Sequence, residues 1–245
     1  MQVIYGINPV LEVLKRNDWP IIKLMVAKGR GGEPVQKILN LANEKRIPVD
    51  FKDREYLDRQ TGCKIHQGVV GFCKEFAYAS IDDVIANRHR DLKNNVILIL
   101  DSITDPQNLG SLIRTAHCFG VNGVIIPTNR SASVTASVMK SSSGTARYTP
   151  VAIEVNLSNT IEYLKAKDFW IYGADAAGGQ NIHTLDYTGN IAVVMGSEGK
   201  GIRPLIKKKC DFLLSIPMKG EIDSLNVSVA AGIILHEILG TWDES

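Results

Sequence analysis

Residues 96–120 read VILILDSITDPQNLGSLIRTAHCFG, and this stretch decides the fold. Val96–Leu100 is a continuous apolar run, which predicts a strand buried on both faces. A polar loop containing Asp105 and Pro106 interrupts it. A helix is then predicted over Leu109–Phe119, with Leu112, Ile113, Ala116 and Phe119 on its buried face and Asn108 as its N-cap. Further strands are predicted downstream at Val124–Ile126, Phe169–Tyr172, Ile191–Met195 and Phe212–Ile216. Helical patterns lie between and after them at Val134–Lys140, Thr160–Lys165, Pro204–Lys209 and Val227–Leu239. Strands alternating with helices indicate an α/β fold built on a parallel sheet. Such sheets bind ligands outside the carboxyl ends of their strands. Three strands run into segments that are not hydrophobic, Asp101–Gly110, Gly196–Gly201 and Pro217–Ser224, so a site is expected where they meet.

A smaller αβ block precedes this one. Ile21–Ala27 and Val69–Cys73 read as strands, Asn8–Leu14 as a short helix capped by Asn8, and Glu33–Lys45 as a helix with Pro34 in its first turn. Residues 76–92 combine a brief helical pattern near Ser80 with a polar stretch and are expected to be a linker. The expected organisation is therefore 1–75, linker 76–92 and 93–245.

Composition excludes several classes. With 44% apolar and 22% charged residues in 245, the chain can bury a core without disulfides or metals. Cys63, Cys73, Cys118 and Cys210 form no C-x-x-C pair, and the five histidines show no ligand spacing, so no metal site is expected. No apolar run reaches the roughly 20 residues that span a bilayer, and no secretory signal pattern opens the chain. A cytoplasmic protein is expected. Net charge is only +2, but residues 1–75 hold 13 Lys and Arg against 9 Asp and Glu, whereas 93–245 hold 13 against 14. That excess suits a module docking on phosphates, or equally a solvated basic surface.

The strand-end segments discriminate further. In VVMGSEGKGIRP, residues 193–204, glycines crowd the end of a buried strand, where backbone can approach a ligand or turn with positive φ. The spacing fits neither a phosphate loop nor a dinucleotide fingerprint, which weakens a triphosphatase and a dehydrogenase. Glu198 within the cluster is either a site acid or an acid favouring a helix N-terminus. Arg114 follows the apolar stripe of its helix closely; it is either a snorkelling surface arginine or one that holds a phosphate or a developing anion. Gly232, inside the last predicted helix, costs up to about 1 kcal/mol relative to Ala, which suggests close packing there.

Taken together, N-x-G-x-x-x-R (Asn108, Gly110, Arg114), M-G-x-E-x-x-G (Met195, Gly196, Glu198, Gly201) and I-P-M…S-L-N-V-S (Ile216–Met218, Ser224–Ser228) resemble the SpoU/TrmH family of RNA ribose 2′-O-methyltransferases over residues of roughly 94–242. The front block, through Tyr5–Val10 and His66–Val70, resembles the L30e/L7Ae-like substrate-binding domain of one branch, which methylates a guanosine ribose of 23S ribosomal RNA. The resemblance implies a SPOUT-type parallel sheet with a deep trefoil knot, S-adenosylmethionine as cofactor, RNA as partner and a homodimer with a site formed across its interface. It implies cofactor contacts at Gly196, Gly201, Ile216, Met218 and Leu225, and site roles for Asn108, Arg114, Glu198, Ser224 and Asn226. It gives His66-Gln67-Gly68 no role that can be derived. A tRNA ribose methyltransferase and a non-catalytic RNA-binding or ribosome-assembly protein are the competing readings.

Overall fold

The computed structural model describes residues 1–15, 20–221 and 224–243. The chain divides into two units, Met1–Ala77 and Tyr78–Ser245.

The first unit runs β1 (Gln2–Tyr5), α1 (Ile7–Lys15), β2 (Ile21–Ala27), α2 (Glu33–Glu44), β3 (Val49–Lys52), α3 (Arg54–Thr61) and β4 (Val69–Cys73). Its sheet has the order β1-β4-β2-β3, with only the β2–β3 pair parallel. Met25, Ala27, Val70 and Phe72 pack with Leu57 of α3 on one face. By strand alternation Leu24, Val26 and Val69 turn to the other face, where α1 and α2 pack together. Asn8 lies inside α1, one residue past its start, so it is not the N-cap expected.

The cap is supplied from afar. Ile7 N donates to Gln67 Oε1 at 3.0 Å, and Arg30 Nε donates to Gln67 O at 3.1 Å. His66 is fully buried; its Nδ1 accepts from Gly68 N at 2.9 Å, which leaves the proton on Nε2 to meet Asp58 Oδ1 at 2.7 Å. Gln67 and Gly68 both turn at positive φ, and a Cβ at Gly68 would sit 3.0–3.2 Å from Arg30 and Ala27. The His66-Gln67-Gly68 triplet is thus a turn that ties the start of β4 to α1, α3 and the end of β2.

The second unit runs α4 (Ile81–Ala86), β5 (Val96–Asp101), α5 (Pro106–Cys118), β6 (Gly123–Pro127), α6 (Ala136–Ser141), β7 (Val151–Glu154), α7 (Leu157–Lys165), β8 (Phe169–Ala174), β9 (Gln180–Asn181), β10 (Asn190–Gly196), α8 (Pro204–Lys207), β11 (Phe212–Ser215) and α9 (Val227–Asp243). All its strand pairs are parallel, in the order β7-β6-β5-β10-β8-β11-β9. One face packs Ile97, Ile99, Ile171, Ala192 and Val194 against α4, α7 and Ile206 of α8. On the opposite side α9 packs on β10, and α5 packs on β6, α6 and α9.

The linker expected over 76–92 is corrected. A capping box between Ser80 and Asp83 starts α4, and Val84 is fully buried in the main core. Ala79 N donates to Val151 O at 2.9 Å, extending the sheet edge at β7. Asn122, fully buried, bonds Val96 N, Ile85 O and Asn95 Oδ1 and so fastens α4 to the start of β5. Residues 78–92 belong to the second unit because these contacts are tertiary; their local sequence is polar.

Two glycines behave differently from each other. A Cβ at Gly110 would meet Ser141 Oγ at 1.8 Å and Val138 O at 2.8 Å, so this glycine lets α5 lie against α6. Gly110→Ala is expected to lower stability by about 1–3 kcal/mol, the usual range for overpacking, measured by urea unfolding; an unchanged midpoint contradicts the close approach. At Gly232 the nearest atom to an added Cβ is Thr115 Cγ2 at 3.8 Å, an ordinary contact. Among the described residues nothing makes the close approach expected at Gly232.

Candidate active site

The carboxyl ends of β8, β10 and β11 and the start of α9 enclose a cleft of about 360 Å³. Gly196, Gly201, Ile216, Met218 and Leu225 all line it, as do Glu198 and Ser224. Asn108, Arg114 and Asn226 lie outside its wall. Residues 222 and 223, within the expected Pro217–Ser224 segment, lie outside the described residues.

The glycine cluster packs chain against chain. Ser197 and Gly201 exchange backbone hydrogen bonds of 3.1 and 2.8 Å, closing a small loop. Gly199 and Gly201 turn at φ of 77° and 64°. An added Cβ at Gly196 would lie 2.1 Å from Gly201 C and 2.2 Å from Ile202 N. Of the two expected uses of these glycines, the positive-φ turn holds at Gly199 and Gly201, while Gly196 admits the returning loop, which forms the cleft wall.

At the start of α5, Asp105 accepts from Gln107 N and Asn108 N at 3.1 and 3.2 Å, so Asp105 is the N-cap and the expectation for Asn108 is corrected. Pro106 follows at N1, where its missing N–H costs nothing. Asn108 is thereby free for another task. Asn226 Nδ2 donates to Asn108 Oδ1 at 3.0 Å and to Glu198 Oε1 at 2.6 Å. Its Oδ1 accepts from Ser228 N at 3.0 Å and from Ser228 Oγ at 2.6 Å, capping α9. One amide side chain joins three segments that are 118 and 28 residues distant in sequence. Asn226→Ala removes these bonds; the lost cap alone costs about 1 kcal/mol. Turnover is expected to fall at least tenfold, because Glu198 and the loop lose their anchor; a variant within twofold of the parent in steady-state rate contradicts that.

Residues 95–236 match the model of the SpoU rRNA methylase family. The chain belongs to that family. Residues 3–79 match a second family, described as RNA 2′-O ribose methyltransferase substrate binding. The chain is 38% identical to the putative TrmH family tRNA/rRNA methyltransferase YacO of Bacillus subtilis, over 96% of this chain and 94% of that protein. It is also 38% identical to the 23S rRNA (guanosine-2′-O-)-methyltransferase RlmB of Haemophilus influenzae, over 96% of each. Among solved structures it is similar in fold to the SpoU methyltransferase AviRb of Streptomyces viridochromogenes in complex with AdoMet, with a TM-score of 0.65 and 22% identity over 99% of this chain and 91% of that one.

Every strand-end segment of the site lies within the SpoU region. Arg114 stands on α5, one turn beyond Gly110, exposed, with no hydrogen-bond or ion-pair partner among the described residues. Its exposure is that of a surface arginine, and it is not part of the Asn108–Asn226–Glu198 cluster. Two features of this SpoU site escaped the sequence reading. Asp101, fully buried at the end of β5, accepts from Arg203 N at 2.8 Å and from Arg203 Nε at 2.6 Å, clamping the glycine loop over the strand. The available signal was an acid ending a wholly apolar run, and such acids need partners. Asp175 and its alanine neighbours line the cleft from the end of β8, where Gly173, Gly178 and Gly179 were the available signal of a turn. Among the described residues no group of three or more His, Cys, Asp or Glu is placed to hold a metal ion, and no helix is long and apolar enough to cross a membrane.

Proposed function

We propose that this chain transfers a methyl group from S-adenosylmethionine to the 2′-hydroxyl of a guanosine ribose in 23S ribosomal RNA. The observation that supports this most is the joining of Asn108, Glu198 and Asn226 beside a cleft of nucleoside size, in a chain whose relatives over nearly full length include 23S rRNA guanosine methyltransferases.

The cleft fits the cofactor. Leu214, Ile216, Leu225, Val227 and Ile234 offer an apolar wall for a purine, while Glu198, Ser224 and the backbone of the glycine loop offer polar groups. Gly196, Gly201, Ile216, Met218 and Leu225 hold the cofactor, largely by backbone and apolar contact. Bound there, it supplies an electrophilic sulfonium methyl. The protein's work is to align a ribose oxygen with that methyl and to stabilise the charge that develops. A guanidinium does not lose its proton in a protein, so Arg114 acts as a cation, on the emerging alkoxide or the adjacent phosphate. Glu198, held by Asn226, fixes the loop. Ser224 at the cleft mouth orients the ribose.

The front unit, with its basic excess, is the RNA-docking domain, of L30e/L7Ae type. A homodimer fits the same reading: Arg114 has no partner among the described residues, and Val229 and Ile233 expose an apolar edge of α9 at i and i+4. A trefoil knot fits the sheet order, in which β10 lies between β5 and β8 while α9 returns from beyond β11 to pack on α5. A substrate in ribosomal RNA fits a cytoplasmic enzyme.

The test is transfer of tritium-labelled methyl from S-adenosylmethionine to 23S ribosomal RNA and to tRNA, with the labelled nucleotide located by mass spectrometry. Label at a 23S guanosine ribose is expected. Label in tRNA alone favours the tRNA reading, which the name of the Bacillus relative keeps in view. No label in any RNA sinks the enzymatic reading.

A further inference from the structure

Two carboxylates line the cleft, Glu198 and Asp175. Glu198 already receives a hydrogen bond from Asn226. Among the described residues the Asp175 carboxylate is held by an ion pair alone, its buried Oδ2 lying 2.5 Å from Lys207 Nζ. Its Oδ1 takes no hydrogen bond among the described residues and is not one of the buried oxygens, and the residue that carries it lines the cleft.

The backbone holds this acid firmly. Asp175 N donates to Leu214 O at 2.8 Å, and Gly179 N donates to Asp175 O at 3.2 Å. A Cβ at Gly179 would lie 2.4 Å from Leu214 C, so the turn after β8 is pressed onto β11. Ala174, Ala176 and Ala177 flank Asp175 and leave space before it. A carboxylate whose side chain is only 18% exposed has lost most of its water, and one lysine leaves half of its acceptor capacity unused.

Resting on the cofactor assignment above, we propose that Asp175, aimed by Lys207, accepts a hydrogen bond from the ribosyl hydroxyls of S-adenosylmethionine. The position selects that donor. Asp175 is bonded through its own amide to Leu214, part of the apolar wall that suits the purine, so its side chain meets the group attached directly to the base. Cofactor selection for a ribonucleoside then lies in this acid, since a site built to pair a hydroxyl discriminates strongly against the analogue lacking it. Asp175 is a binding residue and does not touch the transferred methyl.

The experiment is calorimetric titration of the full chain with S-adenosylmethionine, 5′-methylthioadenosine, which lacks the amino acid, and 5′-methylthio-2′-deoxyadenosine. Asp175→Asn is expected to weaken the first two by a similar factor, about tenfold or more, as for loss of a charge-assisted hydrogen bond. The deoxy analogue is expected to bind the parent more weakly than 5′-methylthioadenosine, and Asp175→Asn to shrink that difference. Lys207→Gln, which keeps the acid but removes the charge that aims it, is expected to weaken the ribonucleosides by a smaller factor, and it stands in if Asp175→Asn does not fold. Loss confined to S-adenosylmethionine overturns the proposal in favour of an ammonium contact. Unchanged affinities in folded variants overturn it as well. A parent chain that binds none of the three overturns the cofactor assignment itself, and this proposal with it.

Discussion

Arg114→Ala loses methyl transfer by about a hundredfold or more, the cost typical of removing one donor aimed at developing negative charge, while affinity for S-adenosylmethionine stays within about twofold. The two halves of this result have separate structural causes. Arg114 is exposed on α5 and takes no part in lining the cleft, so the cofactor does not feel its removal. It has no partner among the described residues, so no fold contact is broken and stability should hold. What disappears is a permanent cation on the helix whose first turn presents Asn108 to Asn226 and Glu198. Single-turnover transfer of labelled methyl and calorimetry of cofactor binding read the two halves independently. Near-normal transfer by the variant would falsify an essential role for the arginine. Arg114→Lys keeps the charge but not the planar fork, and partial recovery separates a point-charge role from bidentate clamping.

Gly196→Ala removes cofactor binding, by about a hundredfold or more on the reasoning that a misplaced cleft wall forfeits several contacts at once. The new Cβ would fall 2.1 Å from a backbone carbon and 2.2 Å from a backbone nitrogen, neither of which can rotate away. Relief requires the loop of residues 197–201 to lift from the end of β10. That motion opposes the clamp from Asp101 to Arg203 and displaces Glu198 from Asn226. Stability is expected to drop by about 1–3 kcal/mol, as for other overpacked sites. Gly199→Ala is the contrast: an added Cβ there meets nothing within 4 Å, so only the positive φ is penalised, by about 1–2 kcal/mol. Calorimetry on both variants decides the matter. Equal retention of cofactor by the two substitutions contradicts a close approach at Gly196.

The buried strands were legible from local pattern, because a run such as Val96–Leu100 has one way to bury both faces. The helices after them were legible for the same reason, since α5 and α9 carry apolar residues at helical spacing. Short edge elements were not. β3, β7 and β9 have two to four residues each, and they are strands only because a neighbour offers hydrogen bonds. The stretch 76–92 reads as a linker because its fastenings are tertiary: Val84 in the main core, Ala79 N on Val151 O, and Ile85 O on the buried amide of Asn122.

The chemistry divides along the same line. The sequence by itself determined which residue types stand at strand ends, and in what order: an amide and an arginine after one strand, glycines and an acid after another, small and polar residues before the last helix. Those spacings suffice for the family, since motif order survives without coordinates. Only the tertiary structure decided that Asn226 is the hub, that Gly110 serves helix packing, that Asp105 takes the cap, that Asp101 clamps Arg203 of the glycine loop, and that Asp175 lines the cleft. The physical reason is range. Periodicity and capping act over a few residues, whereas these contacts close only when strands distant in sequence lie side by side and bring their carboxyl ends to one edge of the sheet.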